Sequence, residues 1–200
     1  MNKYGNSEGI EDKLCCNNDI ITENNTRIIN DSLVITICFM SKIKDIRIFL
    51  DNIRSTHNVG SIFRTAETIG ISKIYCVGTT PTPIDRFGRK RADISKVALG
   101  GENIVLWEYI SASKILPLIR KLKKEKFQII SIEQDSKSID YKKVQVKRKA
   151  VIILGNEVGG ISKTLLKLSD IIVEIPLLGK KESLNVSVAA GIALFRLLDY

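Results

Sequence analysis

Apolar residues first recur at a regular spacing from Ile46 onward. Every second residue of 46–50 is isoleucine or leucine, and this two-residue period predicts a β-strand that ends at Asp51. Across 58–69 apolar residues recur three and four positions apart, and Gly70 follows as a stop signal, which predicts an α-helix. The regular part of the chain therefore begins with a strand followed by a helix.

The alternation of strands and helices continues to the C-terminus. The pattern predicts further strands over 73–77, 104–107, 128–132, 151–154 and 171–175, and helices over 112–126, 162–168 and 184–198. Between them, 78–101 contains Pro81, Pro83 and Gly88 and is predicted as a loop. The strand at 151–154 is apolar throughout, which is typical of a strand buried on both faces. These alternating elements indicate an α/β fold with a mainly parallel sheet and helices on both faces.

The first 45 residues follow no such pattern. Seven of the first 30 residues are asparagine, which competes with the backbone for hydrogen bonds and favours turns. We therefore divide the chain into a poorly ordered or accessory extension, 1–45, and one domain, 46–200. Met40 begins a segment typical of a domain start, and the alternative is that Leu33–Phe39 forms an extra edge strand.

Charge separates these two parts as well. The 31 Lys and Arg outnumber the 22 Asp and Glu and give a net charge of +9. Residues 1–45 are mildly acidic, so the whole positive excess lies in 46–200. A basic domain favours a polyanionic partner such as nucleic acid.

Other classes of protein are disfavoured by composition. The four cysteines form no C-x-x-C pair, and with the single His57 their spacings predict no zinc site. The longest apolar run, 33–40, is less than half of the roughly 20 residues that a membrane-spanning helix needs. We therefore expect a cytoplasmic protein without metal or membrane attachment.

Chemistry-bearing residues cluster directly after predicted strands, where ligands bind in parallel sheets. The three segments are NVGSIFR (58–64), LGNEVGG (154–160) and IPLLGKKESLNVSVAA (175–190). Taken singly, each also fits a structural role, such as a tight turn or a helix cap. None has the glycine spacing of a dinucleotide-binding motif or a P-loop, which argues against a nucleotide-dependent oxidoreductase and against an ATP-binding protein.

Together and in this order, the three segments resemble the motifs of SpoU-type RNA ribose 2′-O-methyltransferases of the SPOUT superfamily. The resemblance runs from about Arg47 to the C-terminus. It implies a C-terminal trefoil knot, a homodimer, S-adenosylmethionine (AdoMet) as methyl donor, and tRNA or rRNA as substrate. We expect no separate RNA-binding domain ahead of the knot, because only some 45 mildly acidic residues precede it.

The resemblance also assigns residues by position. Asn58, Arg64, Glu157, Ser183 and Asn185 match the active-site positions. Candidates for holding AdoMet are Leu154, Gly155, Ile175, Leu184, Val77 and Gly78. The expected role of Arg64 is to grip a phosphate and orient the ribose hydroxyl, since its pKa makes it a poor base, and His57 is the alternative base. A non-catalytic RNA-binding member of the same fold is the alternative function.

Two basic clusters are candidates for contact with RNA phosphates. The first, in the loop, is Arg86, Arg89, Lys90 and Arg91. The second, Lys142, Lys143, Lys147, Arg148 and Lys149, lies ahead of the apolar strand. The alternative is that both are solvated charged loops. Trp107 and Tyr109 are expected in the core or an interface rather than as stacking platforms for bases.

Overall fold

A computed structural model describes residues 44–199. Its strands are β1 (Asp45–Asp51), β2 (Lys73–Val77), β3 (Leu106–Ile110), β4 (Gln128–Ile132), β5 (Ile139–Asp140), β6 (Lys149–Leu154) and β7 (Ile171–Glu174). Its α-helices are α1 (Thr56–Thr68), α2 (Ala92–Ala98), α3 (Gly101–Ile104), α4 (Ala112–Lys124), α5 (Lys163–Leu168) and α6 (Val186–Leu197), and a 3₁₀ turn spans Tyr141–Lys143. The proposed extension 1–45 and the possible strand at 33–39 lie outside the described residues, apart from Lys44 and Asp45.

The strands form one sheet in the order β3-β2-β1-β6-β4-β7-β5. Every neighbouring pair is parallel. In the middle of the sheet, Ile48 lies opposite Ile74 on one side and Ile152 on the other. The α/β fold with a mainly parallel sheet is thus confirmed.

Side chains that alternate along the strands build a separate core on each face. On one face, Ile48 and Leu50 pack with residues of α1, α2 and α6. On the other, Phe49 and Ile153 pack with residues of α4 and α5. The two-residue period of a strand is the cause, because successive side chains point to opposite faces, and both faces are covered by helices.

Three local expectations were wrong. The region 78–101 is not a loop throughout, because α2 and the first residue of α3 lie within it. The third strand begins at Leu106 rather than at Ile104, because the apolar residues just before it belong to the single turn of α3. The short strand β5 and the 3₁₀ turn were not predicted at all. The remaining elements fall within about two residues of their predicted bounds.

The C-terminal helix α6 lies under the chain segment that joins β5 to β6. Tyr141, Val144 and Val146 of that segment pack on the same core as α6. The guanidinium of Arg196, near the end of α6, donates to the carbonyl oxygen of Lys142 at 3.1 Å. The first turn of α6 lies near the carboxyl ends of β6 and β7, since Val186 lines one cavity with Leu154 and Glu174. Over residues 44–199, no helix is long and apolar enough to cross a membrane.

Candidate active site

A cavity of about 310 Å³ lies at the carboxyl ends of β4, β6 and β7. Since these three strands are neighbours in the sheet, the turns that follow them converge. Hydrophobic side chains of Ile132, Leu154 and Ile175 line it, and so do four carboxyl side chains, those of Glu133, Glu157, Glu174 and Glu182. The cavity therefore suits a ligand with both an apolar part and a positive charge.

Gly155 forms part of the cavity wall at the end of β6. A Cβ atom at this position would lie 2.5 Å from the carbonyl carbon of Gly160 and 2.5 Å from the backbone nitrogen of Ile161. No side chain fits there, so the two ends of the turn 155–160 close on each other only because residue 155 is glycine.

Two polar side chains hold the turn 155–160, Glu133 from outside it and Asn156 from within it. Glu133, directly after β4, accepts from the Ile161 N–H at 2.7 Å. The Asn156 amide donates to the Asn52 carbonyl oxygen at 2.6 Å and accepts from the Val158 N–H at 2.8 Å. These bonds fix the direction in which Glu157 leaves the turn.

Asn58 connects the three sequence segments. Its Nδ2 donates to Oε1 of Glu157 at 2.8 Å, and its Oδ1 accepts from Nδ2 of Asn185 at 3.1 Å. Asn185 is also the N-cap of α6, where its Oδ1 accepts from the Ser187 N–H at 2.9 Å. The result is a chain of hydrogen bonds, Asn185 to Asn58 to Glu157, between residues that are 99 and 127 positions apart.

The environment of Glu157 lowers the pKa of its carboxyl group. Partial burial acts to raise this pKa, but the Asn58 hydrogen bond and nearby backbone N–H groups outweigh burial. The ordinary value is 4.5, so the group is a carboxylate at neutral pH. Its stabilising contribution is present above the ordinary value and is lost as the pH falls through the lowered pKa of the folded protein.

The cavity collects many of the residues assigned from sequence. Leu154, Gly155, Ile175, Leu184, Glu157 and Ser183 all line it. Val77 and Gly78 do not line it, because β2 is separated from β6 by β1. Gly78 instead packs against the Asn52 side chain, with φ of +62°. The structure therefore leaves these two residues away from the cavity.

Arg64 and His57 lie outside the hydrogen-bond chain. Both are exposed residues of α1, with His57 next to Asn58 and Arg64 more than one turn further on. Within residues 44–199 the Arg64 side chain has no hydrogen bond or ion pair. The expected convergence of Arg64 with Glu157 and Asn185 is thus not seen as a direct contact within one chain.

The basic clusters lie apart from this cavity. Arg86, Arg89 and Arg91 line a second cleft, next to β3, and Lys90 is exposed nearby. Residues 147–149 lead into β6, at the opposite end of that strand from the cavity.

Sequence reasoning missed three cavity carboxylates, Glu133, Glu174 and Glu182. Glu133 carried a usable signal, because it is the first charged residue after the apolar run of β4 and so stands at the carboxyl edge of the sheet. Glu174 carries the same signal, because it is the first charged residue after the apolar run 171–173 of β7, whereas Glu182 carries none.

Comparison with known proteins places the chain in a family. Residues 45–195 match the model of the SpoU rRNA Methylase family. The tRNA (guanosine(18)-2'-O)-methyltransferase of Aquifex aeolicus is 30% identical over 155 residues, which are 76% of this chain and 68% of that protein. The 23S rRNA (guanosine-2'-O-)-methyltransferase of Neisseria meningitidis is 32% identical over 74% of this chain and 55% of its own length. The chain thus spans about half to two thirds of the curated relatives it matches.

Solved structures agree with this comparison. The A. aeolicus TrmH/SpoU tRNA modifying enzyme superposes with a TM-score of 0.68 at 26% identity, over 78% of this chain and 75% of that one. An AdoMet-bound rRNA methyltransferase from Sinorhizobium meliloti gives 0.67 at 24% identity, over 76% and 55%. The match of the family model to three quarters of the chain, in the part that holds Asn58, Glu157 and Asn185, shows that the chain belongs to the SpoU rRNA methylase family.

Proposed function

We propose that the protein is an AdoMet-dependent methyltransferase that places a methyl group on a ribose 2′-hydroxyl of tRNA or rRNA. Its relatives are named as guanosine 2'-O-methyltransferases of tRNA and of 23S rRNA. The observation that carries the proposal is the hydrogen-bond chain from Asn185 through Asn58 to Glu157, which adjoins a cavity with a glycine wall.

The residues of the cavity fit AdoMet. The close approach of the backbone at Gly155 keeps the turn 155–160 compact at the cavity wall, and Leu154, Ile175 and Leu184 supply apolar surface. The four carboxyl groups suit a cationic ligand. When bound, AdoMet supplies a methyl group on a positively charged sulfur. We propose Leu154, Gly155, Ile175 and Leu184 as residues that hold it, and no longer include Val77 and Gly78.

The proposed catalytic residues are Asn58, Arg64, Glu157, Ser183 and Asn185. Glu157 is an ionised acceptor whose position is fixed by Asn58, so it can orient a hydroxyl proton without itself needing to be titrated. Ser183 lines the cavity beside Leu184 and can bind a polar group of either ligand. Positioning of this kind contributes several kcal/mol to a transfer between two bound molecules.

Two exposed residues of α1, Arg64 and His57, are proposed to act on the ribose hydroxyl. Arg64 is proposed to hold a phosphate of the RNA and orient the hydroxyl, because a guanidinium is always protonated and is therefore a poor base. His57 is the alternative base, since histidine is the side chain that most often serves as a general base.

Two further features of the family are proposed for this chain. The position of α6 under the segment 141–146 supports a C-terminal trefoil knot. One face of α6, together with Leu184 two residues ahead of it, exposes apolar side chains at 38–50%, and on the helix these are Val188, Ile192 and Phe195. They recur at helical spacing, and this stripe supports a homodimer.

The test is methyl transfer from radiolabelled AdoMet to total tRNA and to rRNA, followed by nuclease digestion and identification of the labelled nucleoside. We expect label in a 2′-O-methylated nucleotide. Label in a base, or RNA binding with no transfer, would contradict the proposal, and the second result would indicate a non-catalytic RNA-binding member.

Two variants test the residues on α1. An Arg64→Ala variant that keeps most of its turnover would show that Arg64 is not part of the mechanism. Loss of turnover in His57→Ala alone would show that the histidine is the base.

A further inference from the structure

A second cleft, of about 780 Å³, lies between β3 at the edge of the sheet and the loop that follows β2. It lies away from the first cavity, which is built over β4, β6 and β7. Its size falls within the range of about 300–1,000 Å³ that small-molecule sites occupy. Three aromatic and three arginine side chains line it, and this combination is unusual enough to indicate a ligand class.

The aromatic rings of the cleft differ in exposure, since Trp107 packs partly against the core while Tyr109 is open to a planar ligand. Trp107 and Tyr109 stand two residues apart on β3, so both point to the same face of the sheet. Tyr109 is 53% exposed, and Phe87 on the facing loop is 66% exposed. Within residues 44–199, Phe49 and Tyr75 are the one pair of aromatic rings in contact, so no ring of the cleft is paired with another aromatic ring of the described residues. Of our two sequence-based expectations for Tyr109, a place in the core is therefore wrong, and a place in an interface stays a prediction.

The arginines of the cleft are only partly neutralised. Arg89 pairs with Asp85 at 2.9 Å, and the guanidinium groups of Arg86 and Arg89 lie 4.8 and 5.0 Å from the centre of the Phe87 ring. Asp85 is the one carboxyl group in the lining. A positive charge therefore remains at the cleft after this pairing.

Arg91 supplies the strongest indication of an anionic ligand. Its Nε is buried and has no hydrogen-bond partner among residues 44–199, and the nearby Asp93 carboxylate interacts with Arg91 through its charge without bonding this atom. Its backbone is held in place, because its N–H donates to the Pro83 carbonyl oxygen at 2.9 Å. A fixed guanidinium without an acceptor is costly, and phosphate oxygens match its forked geometry.

We propose that this cleft binds a single unstacked nucleotide of RNA, with the base against Trp107 and Tyr109 and a phosphate at Arg91. Bases stack on aromatic side chains whatever their sequence, and Arg91 selects for the backbone charge. Two copies of this chain would bring like charges together here, which disfavours a dimer interface. The inference rests on the proposed function only for RNA as the ligand class, and it adds an RNA contact outside the AdoMet cavity.

The test uses the fluorescence of Trp107, the only tryptophan among the 200 residues. The full-length protein is titrated with a six-residue oligouridylate at low salt and without AdoMet. We expect saturable quenching. Tyr109→Ala should weaken binding at least about fivefold, and Tyr109→Phe should restore affinity to within about twofold, because stacking depends on the ring. Arg91→Gln should weaken binding and reduce the salt dependence by about 0.7 log unit per decade.

Arg120→Gln is the matched control, because Arg120 is exposed on α4 and its loss removes the same charge elsewhere. It should leave the affinity within about twofold. Inorganic phosphate alone should not quench the tryptophan.

Three outcomes would overturn the inference. They are the absence of quenching by oligouridylate, equal quenching by phosphate, and a Tyr109→Ala effect on oligomeric mass rather than on RNA affinity. The fluorescence titration does not measure methyl transfer, so its result is independent of the test of the proposed function. If the protein shows quenching that depends on Tyr109 but no transferase activity, this inference stands and the proposed function is wrong.

Discussion

Asn58 has only one amide orientation that satisfies its neighbours. Glu157 as a carboxylate only accepts hydrogen bonds, so the NH₂ group of Asn58 must face it. Oδ1 of Asn185 is occupied by the first turn of α6, so Asn185 offers its NH₂ group to Oδ1 of Asn58. Each residue of this hydrogen-bond chain thereby fixes the orientation of the next, and the negative charge lies at its Glu157 end.

This polarity predicts the effect of Asn58→Asp. The new carboxylate has nearly the same shape but faces Glu157 with a like charge and donates nothing to it. We expect methyl transfer to fall about ten- to hundredfold, the equivalent of a hydrogen bond to a charged group, and the pKa of Glu157 to rise. Initial rates measure the first effect, and carboxyl NMR titration measures the second. Unchanged rates in a variant that folds normally would remove Asn58 from the site.

Asp51 predicts a pH-dependent stability. It is 2% exposed at the end of β1, and burial raises its pKa above the ordinary 3.8 despite hydrogen bonds from Ser162 and Asn52. A carboxyl group whose pKa is raised by folding lowers the stability of the protein as the pH rises from its pKa in the unfolded chain through its pKa in the folded protein. The free energy of unfolding of Asp51→Asn, minus that of the natural protein, should therefore be larger at pH 7 than at pH 4.

Urea unfolding at the two pH values measures this difference. A difference between the two proteins that does not change with pH would show that Asp51 titrates alike in the folded and unfolded states. Glu125→Gln is the control, because Glu125 is an exposed residue just beyond α4.

At the scale of an element, the turn after β6 depends on which of its glycines is replaced. A Cβ at Gly155 would meet backbone atoms at 2.5 Å, whereas a Cβ at Gly159 would meet nothing within 4 Å. Gly155→Ala should therefore weaken AdoMet binding at least about tenfold, because the added methyl group pushes residue 155, in the cavity wall, away from Gly160 and Ile161. Gly159→Ala should leave the affinity within about twofold.

Calorimetry with AdoMet provides the comparison between the two variants. Equal affinities for both would show that the wall at residue 155 is not part of the cofactor site. A thermal melt of each variant separates local opening of the turn from loss of the fold.

The elements that the sequence analysis missed or misplaced have specific causes. α2 has Arg91 as its N-cap, and this residue makes no side-chain capping bond, so the usual polar start signal is missing ahead of Ala92. β3 carries exposed Leu106 and Tyr109, and at a sheet edge this removes the alternation that marks a half-buried strand. β5 has two residues, too few for any period. By contrast, β1, β2, β4 and β6 were predictable, because their alternating or continuous apolar residues are those that the two cores bury.

The site was predictable only in part for the same kind of reason. Strand ends located the three segments, and the family resemblance, now confirmed, selected Asn58, Glu157 and Asn185 within them. No local pattern shows that Asn58 stands between partners that are 99 and 127 residues away. Likewise, the position of Val77 depends on the order of strands in the sheet, which periodicity does not give.

For the whole molecule, the exposed apolar stripe on α6 predicts self-association. Ile192 is 39% exposed in the middle of the stripe, so Ile192→Lys should place a charge inside the proposed homodimer interface. We expect the natural protein to sediment as a dimer and the variant as a folded monomer. Ile104→Lys is the control, because Ile104 is 68% exposed on α3 and should leave the dimer intact. A monomeric natural protein would contradict the proposed interface.

The central place of β1 sets a condition on how the chain is made. β1 pairs on one side with β2, which follows soon after, but its other partner is β6, roughly 100 residues later. At a synthesis rate of about 5–20 residues per second, the open side of β1 waits some 5–20 s on the ribosome for its partner. During that interval the unpaired edge of β1 exposes backbone donors and acceptors beside apolar side chains, so the nascent chain should be prone to aggregate until β6 has been synthesised.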